Sequence, residues 1–444
     1  MEETSIFRAY DIRGIYGKDL NEDLAEKIGK SIGTFFQGKI GIGRDVRASS
    51  DSLHNSLVKG ILSTGSDVID FGVIPTPTLY FAVRHLKLNG GVIVTASHLP
   101  PEWNGFKTCA SDGTIISEGF GLERIKEIYE NKRYTSGSGS ITKKSVIEDY
   151  IEEISSKINI NRRIKAVFDF ANSVTSLVVP QIAKNLGIDA YFINDDIKTL
   201  PNRPYEPDQN SLSQLSEEVI KRKADVGIAY DGDGDRVGFV DEKGRIFASG
   251  NITIPLFAMN YLKNKKGKVV FDITCSSAVS DFIEKLGGEP VQVRVGHAYC
   301  VSEVKKQGAI FGGQYSGHLV FPEMNYSDDA MFPSMKLIEM LSSGNKKLSE
   351  YVDMIPVYPT TEIKQIECDD NKKFEVIEKV KGEVKKRNYK FIDIDGVKII
   401  DTDGWVLIRA SNTSPIIRVN AEGKTMEKAQ ALLKLGEELV RGEI

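Results

Sequence analysis

Apolar positions along this chain fall into two alternating patterns. Short β-branched runs at 39–43, 91–95, 164–168, 226–229 and 269–271 read as buried strands. Between them, apolar residues recur at helical spacing over 21–36, 52–64, 178–186 and 278–286. Gly187 and Gly287 stand just past the last two, where helices often end in a left-handed residue. Strand–helix alternation of this kind predicts an α/β fold with parallel or mixed sheets. After Ile355-Pro356-Val357-Tyr358-Pro359 the character changes. A charged helix is expected over 373–386, then paired strands, then a last helix over 426–441, which together predict a smaller α+β unit.

At 444 residues the chain has room for three or four units of about 150 residues or fewer. Thr135-Ser136-Gly137-Ser138-Gly139-Ser140 is flexible by composition and marks the clearest boundary. Asp241-Glu242-Lys243-Gly244, a turn after a strand, suggests another nearby. The 58 Lys+Arg against 62 Asp+Glu leave a charge of −4, which argues against a dedicated nucleic-acid binder. No apolar run approaches the ~18 residues of a membrane helix, so no membrane partner is expected. The acidic start Met1-Glu2-Glu3-Thr4 reads as carrying no leader. Cys109, Cys275, Cys300 and Cys368 stand far apart, as incidental thiols of a cytoplasmic protein do.

The sharpest chemical signal is Tyr230-Asp231-Gly232-Asp233-Gly234-Asp235-Arg236. Carboxylates this close repel one another, and the intervening glycines let the chain curl so that all three face one centre. Hard oxygen donors of this kind suit Mg²⁺ or Ca²⁺ rather than zinc. An EF-hand is excluded, because Arg236 stands where that loop needs glycine and strands flank the motif. An acidic surface turn is the plainer alternative.

A second motif, Thr95-Ala96-Ser97-His98-Leu99-Pro100, follows a strand directly. Ser97 is placed for nucleophilic work but needs a neighbouring base or cation, and a capping serine in a turn would read the same way. No G-x-S-x-G elbow surrounds it, which disfavours an α/β-hydrolase. Arg409-Ala410-Ser411-Asn412-Thr413-Ser414-Pro415, with Arg418, offers donors for a phosphate dianion and equally reads as a polar turn. Phe311-Gly312-Gly313-Gln314-Tyr315-Ser316-Gly317-His318 suits a loop that reads hydroxyls. Arg8, Arg13, Arg44 and Arg47, in two glycine-bounded stretches, are expected to face an anion.

Together and in this order, the segments around Phe7–Gly14, Ser97, Asp231–Arg236, Gly313–His318 and Arg409–Arg418 resemble the α-D-phosphohexomutase superfamily, phosphomannomutase/phosphoglucomutase type. The resemblance spans nearly the whole chain. It implies four domains, three sharing a similar mixed-sheet α/β core and the fourth a smaller α+β fold. The linker signals then give 1–137, 138–240, 241–354 and 355–444. The implied activity moves phosphate reversibly between the 1- and 6-positions of a hexose, through a phosphoserine and a hexose 1,6-bisphosphate. Ser97 matches the phosphoserine, and Asp231, Asp233 and Asp235, with the serine, match the Mg²⁺ ligands. Arg13, His98, Lys107 and Arg236 match residues around the phosphoserine. His297, Gln314, Ser316 and His318 match sugar-binding positions, and Arg409, Ser411, Asn412, Thr413 and Arg418 match the site of the phosphate that does not react.

Asn104-Gly105-Phe106-Lys107 and the Ser411-Asn412-Thr413 version of the phosphate loop look like enzymes acting on glucose and mannose phosphates. Phosphoglucosamine mutases typically carry isoleucine at the position of Phe106 and a Pro-Ser-Gly-Thr loop. Three positions depart from the usual pattern: Leu99 replaces asparagine, Gln314 replaces glutamate, and Thr274 replaces a lysine found in some bacterial members. The competing readings are a phosphoglucosamine mutase, a non-catalytic phosphosugar-binding protein and a hydrolytic phosphatase.

Overall fold

The structure is a computed structural model describing residues 3–263, 265–411 and 415–444. Four sheets follow one another along the chain. In the first, Lys39–Arg44 lies at the centre, parallel to Asp67–Val73 and Gly90–Val94, while Trp103–Ala110 runs antiparallel and carries Ile12–Ile15 at its edge. The second places Lys165–Asp169 between Asp189–Ile193 and Val226–Tyr230, all parallel, with Val237–Asp241 returning antiparallel. The third has Lys268–Asp272 between two parallel neighbours, Glu289–Val293 and Phe311–Gly313. These are the mixed α/β sheets that the alternation predicts.

The fourth sheet is wholly antiparallel, in the order Lys364–Glu367, Ile416–Gly423, Gly404–Ala410, Val397–Asp401 and Phe391–Ile392. Helices Lys373–Lys386 and Met426–Arg441 cover one face, where Val406, Ile408, Val419 and Ala421 meet Val380, Val384 and Val440. Strand alternation sends Lys398, Trp405, Leu407, Arg409, Arg418 and Glu422 to the other face, towards the third unit.

Two of the expected boundaries need correction. The Gly/Ser stretch is strapped to the first unit: Gly137 and Gly139 donate to the carbonyls of Ser63 and Leu62 at 3.0 and 2.9 Å. Strand Ile141–Lys143 then pairs with Asp67–Val73, so the first sheet runs past residue 137. Close approach is what requires glycine there, since a Cβ on Gly139 would overlap the carbonyl of Ser66. Likewise Asp241–Gly244 is a hairpin turn, and Ile246–Phe247 adds a further strand to the second sheet. The second and third units share one continuous core, in which Phe168, Phe239, Phe257, Phe311 and Phe332 are all buried.

Arg47 ties the first unit together. Its guanidinium is buried, pairs with Asp45 at 3.1 Å, and donates to the carbonyls of Ser97, Leu99, Pro100 and Trp103 at 2.6–3.1 Å. This overturns the expectation that Arg47 faces an anion, because its donors are used on the loop that carries Ser97. Arg44 is paired too, with Asp51 at 2.9 Å. Arg47→Met leaves Asp45 and the loop carbonyls without their partner and is expected to cost about 3–5 kcal/mol of unfolding free energy. Denaturant unfolding measures it, and a loss below about 1 kcal/mol would show that the loop holds itself.

Candidate active site

Ser97 follows the end of strand Gly90–Val94 with φ of 53° and is 1% exposed. A non-glycine residue in this left-handed region carries strain that surrounding contacts must hold. Thr95 Oγ1 accepts its N–H at 3.0 Å, and Arg47 holds its carbonyl. The hydroxyl donates to Asp231 Oδ2 at 2.8 Å and lies 3.3 Å from His98 Nδ1. Gly232 packs against the Ser97 carbonyl so closely that a Cβ would collide with it. The serine loop of the first unit and the acidic loop of the second are therefore built against each other.

Asp231 Oδ1 accepts three backbone N–H groups, from Gly234, Asp235 and Arg236, at 2.9–3.1 Å. That curls the loop and leaves Oδ2 for Ser97. Asp233 Oδ2 accepts from Thr76 Oγ1 at 2.6 Å and from Lys107 Nζ at 2.7 Å, and Lys107 also pairs with Asp235. All three carboxylates are buried, with one oxygen from each within 4.8 Å of the others. Burial and the charges of Asp235 and Asp233 push the Asp231 carboxyl well above its usual range. For Asp235, Lys107, His318 and Arg236 overcome the effect of burial and hold the carboxyl well below it. Burial would lower Lys107, but Asp233 and Asp235 raise it above the usual lysine value. Asp233 Oδ1 and Asp235 Oδ1 are buried without a hydrogen-bond partner. Orphaned hard oxygens facing one centre fit a small divalent cation such as Mg²⁺.

Cationic and imidazole groups close the rest of the pocket. Arg13, on strand Ile12–Ile15, is held by Asp11 at 2.7 Å. Burial first, then Arg236, Arg13 and Lys107, hold His98 well below the ordinary histidine value. Arg236 pairs with Glu206, and its Nε donates to His318 Nε2 at 3.0 Å. That bond leaves the His318 proton on Nδ1, which lies 2.7 Å from Asp328 Oδ2. His297, Asp328 and His318 thus form a compact group that proton sharing explains without a second metal. His297 begins helix His297–Gln307 and packs edge-on to His318, with ring centroids 5.6 Å apart.

A cleft of about 300 Å³ continues from here towards the fourth unit, with Ser316, Thr274, Asn251, Arg409 and Arg418 on its walls. Gln314 is only 3% exposed, its N–H bound to the His318 carbonyl at 2.9 Å, so Tyr315 and Ser316 present more of this loop to the cleft. Arg409 and Arg418 are directly opposite each other on adjacent strands. Asp395 accepts from Arg409 at 3.1 Å, whereas Arg418 Nε is buried with no partner among the described residues. Burial, then Arg409, lowers the Arg418 pKa, as expected of two guanidiniums lacking an anion between them. Ser411 is buried beside them, and Asn412 and Thr413 lie outside the described residues.

Sequence reasoning missed Thr76, Glu206 and Asp328. Asp328-Asp329 ahead of the apolar Ala330-Met331-Phe332 was the available signal, since paired acids against an apolar run need partners. Asp329 receives Tyr150 at 2.7 Å and the first N–H groups of helix Met331–Ser343, while burial pushes it up to about 6.

Comparison with known proteins agrees with this arrangement along the whole chain. Residues 4–136, 148–244 and 249–358 match the phosphoglucomutase/phosphomannomutase alpha/beta/alpha domains I, II and III, and 363–435 match the C-terminal domain of the same family. A relative in Thermococcus gammatolerans, named "Probable phosphoglucosamine mutase", is 36% identical over 443 residues, with 98% of each chain covered. The phosphomannomutase/phosphoglucomutase of Pseudomonas syringae is 33% identical over 438 residues, covering 96% of this chain and 93% of its own. A phosphoglucomutase/phosphomannomutase family protein from Burkholderia thailandensis superposes with a TM-score of 0.90 at 28% identity, covering 100% of this chain and 98% of that one. The chain belongs to the phosphoglucomutase/phosphomannomutase family of phosphohexomutases, which are isomerases.

Proposed function

We infer that this protein interconverts hexose 1- and 6-phosphates of glucose and mannose through a phosphorylated Ser97. The observation that carries the reading is Ser97 Oγ held 2.8 Å from a carboxylate of the buried acidic group, across the cleft from an arginine pair. In the first half-reaction the sugar's free hydroxyl attacks phosphoserine phosphorus. The bond to Ser97 Oγ breaks, giving a hexose 1,6-bisphosphate and the free serine. The bisphosphate then turns around, and Ser97 takes the other phosphoryl group.

A Mg²⁺ held by Asp231, Asp233, Asp235 and the phosphoserine supplies positive charge against the transferring group. Lys107, Arg13 and Arg236 add fixed positive charge around the same point. His98, neutral and 3.3 Å from Ser97 Oγ, is placed to hold the serine proton. At the far end Arg409 and Arg418 bind the phosphate that is not reacting, which converts transfer into a positioned, effectively unimolecular step. The four cysteines are buried and unpaired, which supports a reducing, cytoplasmic setting.

A phosphoglucosamine mutase is the second reading, favoured by the name of the Thermococcus relative. Phe106 and the 411–413 segment favour the first.

Ser97→Ala is expected to lower turnover by several orders of magnitude while the protein stays folded. Intact mass should show an increment of about 80 Da on the wild type after sugar bisphosphate treatment and none on the variant. A variant with near-normal isomerisation rejects the phosphoserine.

Chelation of divalent cations should stop turnover, and Mg²⁺ should restore it better than Zn²⁺, given ligands that are all oxygen. Full activity after exhaustive chelation rejects the metal reading.

Sugar choice is tested by kcat/KM on glucose, mannose and glucosamine 1-phosphates. Glucose and mannose differ only at position 2, so values within about tenfold, ~1.4 kcal/mol, are expected, with glucosamine lower. Gln314→Glu should raise both hexoses in parallel through a charged acceptor. A glucosamine preference above about tenfold transfers the assignment to the second reading.

A further inference from the structure

Behind the substrate cleft, between the third and fourth units, lies a larger cavity of about 670 Å³. Helix Ser277–Lys285 and the 401–404 turn border it, and Lys398, Trp405 and Glu422 lie among its lining. Lys398 is 1% exposed; its Nζ donates to the Ile273 carbonyl at 2.9 Å and stands 4.0 Å over the Trp405 ring. Glu422 is wholly buried. Its Oε1 accepts from Trp405 Nε1 and Ser277 N, both at 2.9 Å, and from the Ser277 hydroxyl. Its Oε2 has no hydrogen-bond partner among the described residues. A buried carboxylate oxygen without a donor is costly, and here it belongs to a residue that borders an open cavity.

We propose that this cavity is a second ligand site, distinct from the substrate cleft, and that it takes a neutral polyhydroxylated molecule of monosaccharide size. The volume lies in the range of small-molecule sites. Trp405 and Tyr358 offer flat apolar surfaces for the C–H face of a sugar ring. Glu422 Oε2 accepts a hydroxyl proton, and Ser280 and Thr402 offer hydroxyls in return. Asp281, Asp401 and Asp403 on the walls disfavour a phosphate, while Lys390 and Lys424 disfavour a cation. A neutral polyol is the class that suits both sets.

The site is joined to the cleft through two strands. Trp405 borders both spaces. Trp405 faces Glu422 in the same ladder in which Arg409 faces Arg418, four residues or roughly 13 Å along the strands. A ligand on Trp405 and Glu422 therefore bears on the orientation of the sheet that carries the arginine pair. That consequence rests on the mutase reading, whereas binding does not.

The test is calorimetric titration of the full chain with unphosphorylated D-glucose, D-mannose and N-acetyl-D-glucosamine. At least one should bind with a dissociation constant near ~1 mM. Ser280→Phe, which fills the cavity from its helical wall, should weaken that binding at least tenfold. Thr402→Phe, on the exposed turn, does the same if the first variant fails to fold. No binding up to about 50 mM, or equal binding to wild type and a folded blocked variant, overturns the proposal. Glucose 1-phosphate turnover is followed in parallel. Turnover without cavity binding removes this site alone, and cavity binding without turnover removes the mutase reading alone.

Discussion

Lys107 is the residue on which the rest of this structure depends. It leaves the first sheet, is 2% exposed, and inserts its ammonium between Asp233 and Asp235 of the second unit. Three carboxylates in a dry pocket repel one another strongly, and no arrangement of the acidic loop is tenable without a compensating charge. Because that charge comes from another unit, folding the second unit's loop and docking the first unit are one event. Thr76 on Asp233 and Ser97 on Asp231 complete the same junction. Glycine at 232 follows from it, since the two loops approach too closely for any side chain.

Further out, the histidines are fixed by similar reasoning. Arg236 lies among the carboxylates and has Glu206 as its own partner, so its Nε is free to donate to His318. His318 must then carry its proton on the side of Asp328, and a buried aspartate in the third unit becomes part of a chain that begins at Ser97. Protein electrostatics of this kind are cooperative, because each partner fixes the proton position of the next. The chemistry end of the cleft thus draws rigidity from three units at once.

Periodicity showed most of the fold. The helices expected over 373–386 and 426–441 are observed over those residues, and Lys39–Arg44, Gly90–Val94 and Val226–Tyr230 lie within a residue of their expected strands. What periodicity could not show was contact between distant segments. Gly137 and Gly139 looked flexible by composition, yet they are glycines because the backbone passes against 62–66. Arg47 looked like an anion ligand because nothing local shows that carbonyls from 97–103 will surround it. At the site, Ser97 and the aspartates were legible since their chemistry is concentrated in a few adjacent residues. Asp328 and Glu206 were not, since each acts only through a partner brought by the fold.

The two ends of the cleft differ in what they can recognise. Two guanidiniums facing each other on antiparallel strands read a phosphate by charge and by its oxygens, with no contact that distinguishes a phosphate on one carbon from one on another. In the proposed reaction that indifference is required, because the same clamp must hold either end of a bisphosphate after it turns. Selection among sugars must therefore come from the middle of the cleft, where Thr274, Tyr315 and Ser316 stand. The sequence departs from its relatives' usual pattern there, at Thr274 and Gln314, and keeps both the serine and the aspartates intact. Variation is tolerated where hydroxyls are read one at a time. It is excluded where buried charges balance only as a set.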